Sequence, residues 1–120
     1  MSKYFGDSEL QCHCGCGGEV INPVLEEYLD KLWEYVGQPL TLSCAYRCPA
    51  HNAEIPGSVP NSQHVLGNAA DVIVPDGMTV DELGDAAVAV GFDGIGRYYD
   101  ADFVHCDVRS NGEEPGVYTW

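Results

Sequence analysis

The sequence predicts an α+β fold, a small and mostly antiparallel sheet with helices packed on it. Two segments carry apolar residues at helical spacing, each between a capping residue and a glycine stop. Four short runs bounded by glycine, proline and asparagine read as strands. The order is mixed, helix–strand–loop–strand–helix–strand–strand, rather than a regular βα alternation.

Taken in order, residues 1–21 form a cysteine-rich N-terminal segment whose "CHCGCGG" reads as an irregular loop. Asn22 is placed to cap a helix, with Pro23 at its first position and Gly37 just past its end. Leu25, Tyr28, Leu29, Leu32 and Val36 give that helix one core face. "PLTLSC" reads as a strand over 39–44, and residues 47–62 as turns around Pro49, Pro56, Gly57, Pro60 and Asn61. "AADVIV" reads as a strand over 69–74, ended by "PDG". Thr79 and Glu82 form a capping box that opens a helix over about 79–90, stopped by Gly91. "GIGRYY" and "DFVHCDV" read as a hairpin turning near "YDAD". At 120 residues the whole chain, 1–120, is expected to be a single domain.

Composition narrows the function. Five basic against 19 acidic residues give a net charge of −14, a surface that repels phosphate backbones, so no nucleic-acid partner is expected. No run approaches the roughly 20 apolar residues of a membrane span, so no membrane insertion is expected. "MSKYFGDSEL" lacks the apolar core of a secretory signal, and the chain is expected to be made in the cytoplasm. Without such a signal, six cysteines do not imply a disulfide framework. Cys12, Cys14, Cys16 and Cys48 offer four thiolates for a structural metal; free thiols, or disulfides formed after release, are the alternatives.

The chemistry concentrates in "NSQHVLGNAADV", where His64 and Asp71 flank small residues. Gly67, Ala69 and Ala70 let the intervening turn pass close to a metal without side-chain clash. A catalytic zinc takes three protein ligands and keeps one position for water. The third is expected from His105 in "FVHCDV". Strand alternation puts Phe103, His105, Asp107 and Arg109 on a polar face, and Val104, Cys106 and Val108 on a core face.

"SQHVLGNAAD" resembles the S-x-H-x-x-G-x-A-x-D motif of the zinc D-alanyl-D-alanine carboxypeptidase family, within the group that includes lysostaphin-type peptidases and the hedgehog signalling domain. "GIGRYYDADFVHCDVR" resembles the segment carrying its last histidine ligand, and "SCAYRCPAHN" its S-G-Y-R-x-x-x-x-N segment. "CHCGCGG" looks like the start of a small cysteine-rich subfamily of bacteria and phages. The resemblance runs from about Cys12 to Arg109 and implies a hedgehog/D-Ala-D-Ala-peptidase-like fold. It implies Zn2+ held by His64, Asp71 and His105, and Arg47 as the cation for a substrate carboxylate or carbonyl oxygen. It places the general base at Asp102, three residues before the last histidine, and Ser62 as a hydrogen-bonding residue behind the ligands. Two departures stand out. The S-G-Y-R segment here reads Ser43, Cys44, Ala45, Tyr46, Arg47. Asp102 has the wrong strand parity for the face of His105, which leaves Asp107 as the competing base or as a residue that orients a ligand.

The resemblance implies a metallopeptidase of peptidoglycan stem peptides, either a carboxypeptidase or an endopeptidase. A short chain with no export signal fits an endolysin, acting as a monomer at the cell wall after release by a separate lysis protein. The alternative is a zinc-stabilised binding module of the same fold without turnover.

Overall fold

Asn22 opens the first helix as its spacing predicts. Its side chain accepts a hydrogen bond from Val24 N, Pro23 occupies the first turn, and Gly37 ends the helix in the left-handed region at φ 79°. This helix, α1, spans Pro23–Val36 and buries Leu25, Leu29 and Leu32. The computed structural model describes Tyr4, Phe5, Leu10, 22–54 and 63–120. Cys12, Cys14, Cys16 and Ser62 therefore lie outside the described residues.

Strand β1 (Thr41–Cys44) is followed by a short helix α2 (Pro49–Glu54), within the segment expected to be all turns. Proline is tolerated at a first helical position, where its missing N–H has no partner to lose. Strand β2 (Ala69–Ile73) leads to α3 (Val80–Val90), whose capping box forms as expected: Thr79 Oγ1 accepts from Glu82 N at 3.1 Å and Glu82 Oε1 from Thr79 N at 3.0 Å. Strands β3 (Gly94–Tyr98) and β4 (Phe103–Asp107) form the expected antiparallel hairpin. A short β5 (Tyr118–Thr119), not anticipated from the sequence, pairs parallel with β3. The sheet order is β1-β2-β4-β3-β5, antiparallel except at its last pair, which bears out the α+β reading.

One face of the sheet builds the core. Leu42, Ala70, Val72, Ile95, Val104, Cys106 and Val108 pack with Leu25, Leu29, Leu32, Leu83 and Ala87 of the two longer helices. Strand alternation thus places Cys106 where its parity put it, fully buried among apolar neighbours, which push its thiol pKa well up.

The chain end is held by a buried carboxylate. Asp93 accepts from Ser110 N at 2.9 Å, Gly112 N at 2.8 Å and Glu114 N at 2.9 Å, and is 0% exposed. Tyr118 N and Trp120 N then bond to Asp93 O and Ile95 O, which brings the final tryptophan back across the sheet. Replacing Asp93 removes the shared acceptor of three part-buried backbone donors, and each hydrogen bond to a charged group contributes about 1.5–3 kcal/mol. Asp93→Ala is expected to lose at least about 2 kcal/mol in denaturant unfolding.

Candidate metal centre

The face of the sheet opposite the core carries the chemistry, and the strand register sets its layout. Asp71 pairs with His105 across β2 and β4, and His105 pairs with Gly96 across β4 and β3. One step along, Asp107 lies between Ala69 and Gly94. Partners in register share a face, so this arrangement lines up the polar groups without a loop search.

Small residues make the space. A Cβ at Gly94 would fall on the Asp107 carboxylate, and one at Gly96 on the Trp120 indole. Trp120 in turn leans on the His105 ring, with centroids 4.9 Å apart, and donates from Nε1 to Tyr98 Oη at 2.7 Å.

His64 arrives from the turn at residues 63–67. Gly67, at φ 77°, closes that turn, with Gly67 N on His64 O and Asn68 N on Gln63 O. The cap of α1 pins the same turn, because Asn22 N donates to Gly67 O at 2.8 Å and Asn22 Nδ2 to Asn68 Oδ1 at 3.1 Å. The six residues between His64 and Asp71 are therefore one tight turn plus the entry into β2.

The result is a convergence on one oxygen. His64 Nε2 lies 3.3 Å and His105 Nδ1 3.2 Å from Asp71 Oδ1. The other nitrogen of each ring is already engaged: His64 Nδ1 is 2.7 Å from Ala45 O, and His105 Nε2 is 2.7 Å from Asp107 Oδ2. Both histidines are buried. With a proton on each outer nitrogen satisfying Ala45 O and Asp107, loss of the inner protons leaves a lone pair on each inner nitrogen directed at Asp71. Held outer nitrogens of this kind are how metal-binding imidazoles are oriented. A carboxylate and two neutral imidazoles are a donor set suited to zinc.

The electrostatics follow. Burial opposes charge on His64, but hydrogen bonds and charge from Asp71, and then from Cys44, outweigh it and raise its pKa to about 9. His105 is raised for the same reason, burial being outweighed by Asp107 and Asp71. Asp71, despite its burial, is held well below the usual carboxylate range by the two imidazoles. Asp107 is fully buried, yet His105 and Arg109 hold it down to about 2. Arg109 grips it with Nη2 at 2.6 Å from Oδ2 and Nε at 2.9 Å from Oδ1. With both oxygens engaged, Asp107 is placed to orient His105.

The remaining candidates are placed as follows. Arg47 is half-buried and its backbone N donates to His64 O at 3.2 Å, so it is carried beside the turn. Asp102 is exposed in the β3–β4 turn at φ 55°, with its backbone carbonyl accepting from Val74 N. Two strand residues, Phe103 and Val104, lie between it and His105, a span of about 10 Å along the chain. Cys48 is half-buried just before α2, and its three expected thiolate partners lie outside the described residues.

Sequence reasoning missed Cys44. Its Sγ lies 3.8 Å from His64 Nδ1, and Cys44, His64 and Asp71 each offer a donor atom within 4.8 Å of the others. Simple alternation puts Cys44 on the face of Leu42, in the core. A register shift intervenes, because Leu42 pairs with Val72 and Cys44 with Asp71, two steps on β1 against one on β2. Such a bulge turns the following side chain to the opposite face. The signal in the sequence was the departure of "SCAYR" from the S-G-Y-R pattern.

The Peptidase M15 family matches residues 3–107. The chain belongs to the peptidase M15 family, the zinc D-Ala-D-Ala carboxypeptidases. No curated protein sequence matches it. Membership implies a peptide substrate, and zinc dependence is general in the family. Residues 108–120, including Arg109 and Trp120, lie beyond the matched span.

Metal ligation requires neutral imidazole, so a metal entering this centre displaces the proton that His64 holds up to about 9. Because His105 is raised as well and must also be neutral, apparent zinc affinity of the metal-free protein is expected to rise by at least about tenfold per pH unit from neutrality toward about pH 9. Zinc titrations against a competing chelator across that range, with the released protons counted, check this.

Proposed function

We propose that this M15 peptidase is a zinc enzyme that hydrolyses peptide bonds in peptidoglycan stem peptides, as a D-Ala-D-Ala carboxypeptidase or as an endopeptidase of the endolysin type. The observation that carries the reading is the meeting of two buried imidazole nitrogens at Asp71 Oδ1, each ring held from behind by an acceptor. His64, Asp71 and His105 would hold the ion. Bound there, zinc supplies Lewis acidity toward a carbonyl oxygen and makes water a nucleophile near neutral pH.

The chain's own residues do the rest. Asp107 fixes the tautomer and orientation of His105 through Nε2, and the Ala45 carbonyl does the same for His64 through Nδ1. Arg109 keeps Asp107 ionised, so the orienting acceptor retains its charge. Asp102 is the proton carrier: among the described residues its carboxylate has no hydrogen bond or ion pair, and it is exposed to solvent. It takes a proton from the attacking water and returns it to the amine leaving as the C–N bond breaks. Arg47, anchored through its backbone to His64, binds a substrate carboxylate or carbonyl oxygen. Peptide stems with a free carboxylate suit one such cation in a chain that has only five basic residues. The cell wall is where such stems are met.

The two aspartates are expected to behave differently. Asp102→Asn should retain zinc and fold and lose at least about a hundredfold in stem-peptide cleavage. Asp107→Asn should weaken zinc retention by about 10–100-fold, the usual effect of losing the acceptor behind a ligating histidine. Cleavage of purified peptidoglycan, followed by mass analysis of the fragments and by metal content, reads both. A fully active Asp102→Asn protein with an inactive, zinc-replete Asp107→Asn protein reverses the assignment. A zinc-replete wild-type chain that cleaves no wall peptide points instead to a binding module.

His64→Ala and His105→Ala are each expected to lose about one zinc per chain, the share of a single site. Unchanged stoichiometry in both, with cysteine-bound zinc counted separately, removes the site.

A further inference from the structure

We propose that Cys44 is a metal ligand of this centre, giving His64 and Asp71 a choice of third donor: the His105 imidazole on one side or the Cys44 thiolate on the other. The inference rests on the metal centre proposed above and adds a sulfur donor to it. Its basis is the row across the sheet. Cys44 of β1 pairs with Asp71 of β2, and Asp71 pairs with His105 of β4, so the carboxylate stands between a thiol and an imidazole. The register shift after Leu42 is what brings the thiol to this face.

The donor atoms are near enough to close on one ion. Those of Cys44, His64 and Asp71 lie within 4.8 Å of one another. Bonds of about 2.0–2.3 Å in a tetrahedral site put ligand atoms roughly 3.5 Å apart, so the set needs to contract by only about an ångström. Cys44 is half-buried and lies on an edge strand, where a small shift is least costly to the rest of the sheet.

The chemical consequence is a change of metal preference. Two imidazoles and a carboxylate form a borderline set, whereas thiolate, imidazole and carboxylate favour softer, thiophilic ions such as cadmium and zinc over manganese or magnesium.

Cobalt(II) is the probe, since a bound thiolate gives it a sulfur-to-metal absorption in the near ultraviolet that imidazole and carboxylate do not. The full chain, reduced and stripped of metal, is titrated to one equivalent beside its Cys44→Ser, Cys44→Ala and His64→Ala variants. The expected result is a band in the wild type that falls by one thiolate's share in both Cys44 variants and in His64→Ala, because the same ion is lost. Circular dichroism of the metal-free proteins confirms that each variant folds. A band of undiminished intensity in the Cys44 variants overturns the proposal, as does the absence of any band in the wild type. A band that survives His64→Ala at full strength belongs to other cysteines and also overturns it. The peptidase reading is judged separately. Cys44→Ser that keeps its zinc and still cleaves wall peptides, with its cobalt band unchanged, leaves that reading standing while this one falls. A wild type with a Cys44-dependent band and no hydrolysis does the reverse.

Discussion

Everything at the candidate centre depends on the register of β2 against β4. Asp71 must stand opposite His105 for its oxygen to meet the imidazole at 3.2 Å, and a slip of one residue would send every side chain of β4 to the other face. Val104, Cys106 and Val108 prevent that slip, because exposing them would cost the burial that holds the sheet to its helices. The hydrophobic core on one face therefore fixes the chemistry on the other. The glycines of β3 complete the arrangement by leaving the volume that Asp107 and Trp120 fill.

Concentrating charge in this way is costly unless the charges are paired. Asp107 is fully buried, and an ionised carboxylate there survives because Arg109 and His105 occupy both of its oxygens. Asp71 is stabilised by two imidazoles in the same manner. In a chain of net charge −14, the few cations are placed with care: Arg109 on Asp107, Arg97 on Asp81 and Asp85, Arg47 beside the His64 turn. Metal entry would exchange the protons held on the imidazoles for the charge of the ion at the same oxygen.

Much of this was legible in one dimension. Asn22, Pro23 and Gly37 bounded the first helix, and Thr79, Glu82 and Gly91 the last, because caps satisfy local backbone groups and need no distant partner. His64, Asp71 and His105 were legible as a set through their spacing and family resemblance, and the fold brings them together. The short helix Pro49–Glu54 is hidden within a turn-rich stretch, because Pro49 and the prolines that follow leave no helical period to detect. Strand β5 escaped because two residues carry no alternation to detect.

The sequence by itself determined the ends of the two longer helices, the core face of β4 and the identity of His64, Asp71 and His105 as candidate donors, since these follow from residue type, motif and periods of two or 3.6. Tertiary structure alone decided which nitrogen of each histidine faces Asp71, because that depends on acceptors contributed by Ala45, just after β1, and by Asp107 of β4. It decided that Asp107 is committed to Arg109 and His105, and that Asp102 sits about 10 Å of strand away in an exposed turn. It also decided that Cys44 faces the centre. A register shift is a property of two paired strands, and neither strand encodes it alone.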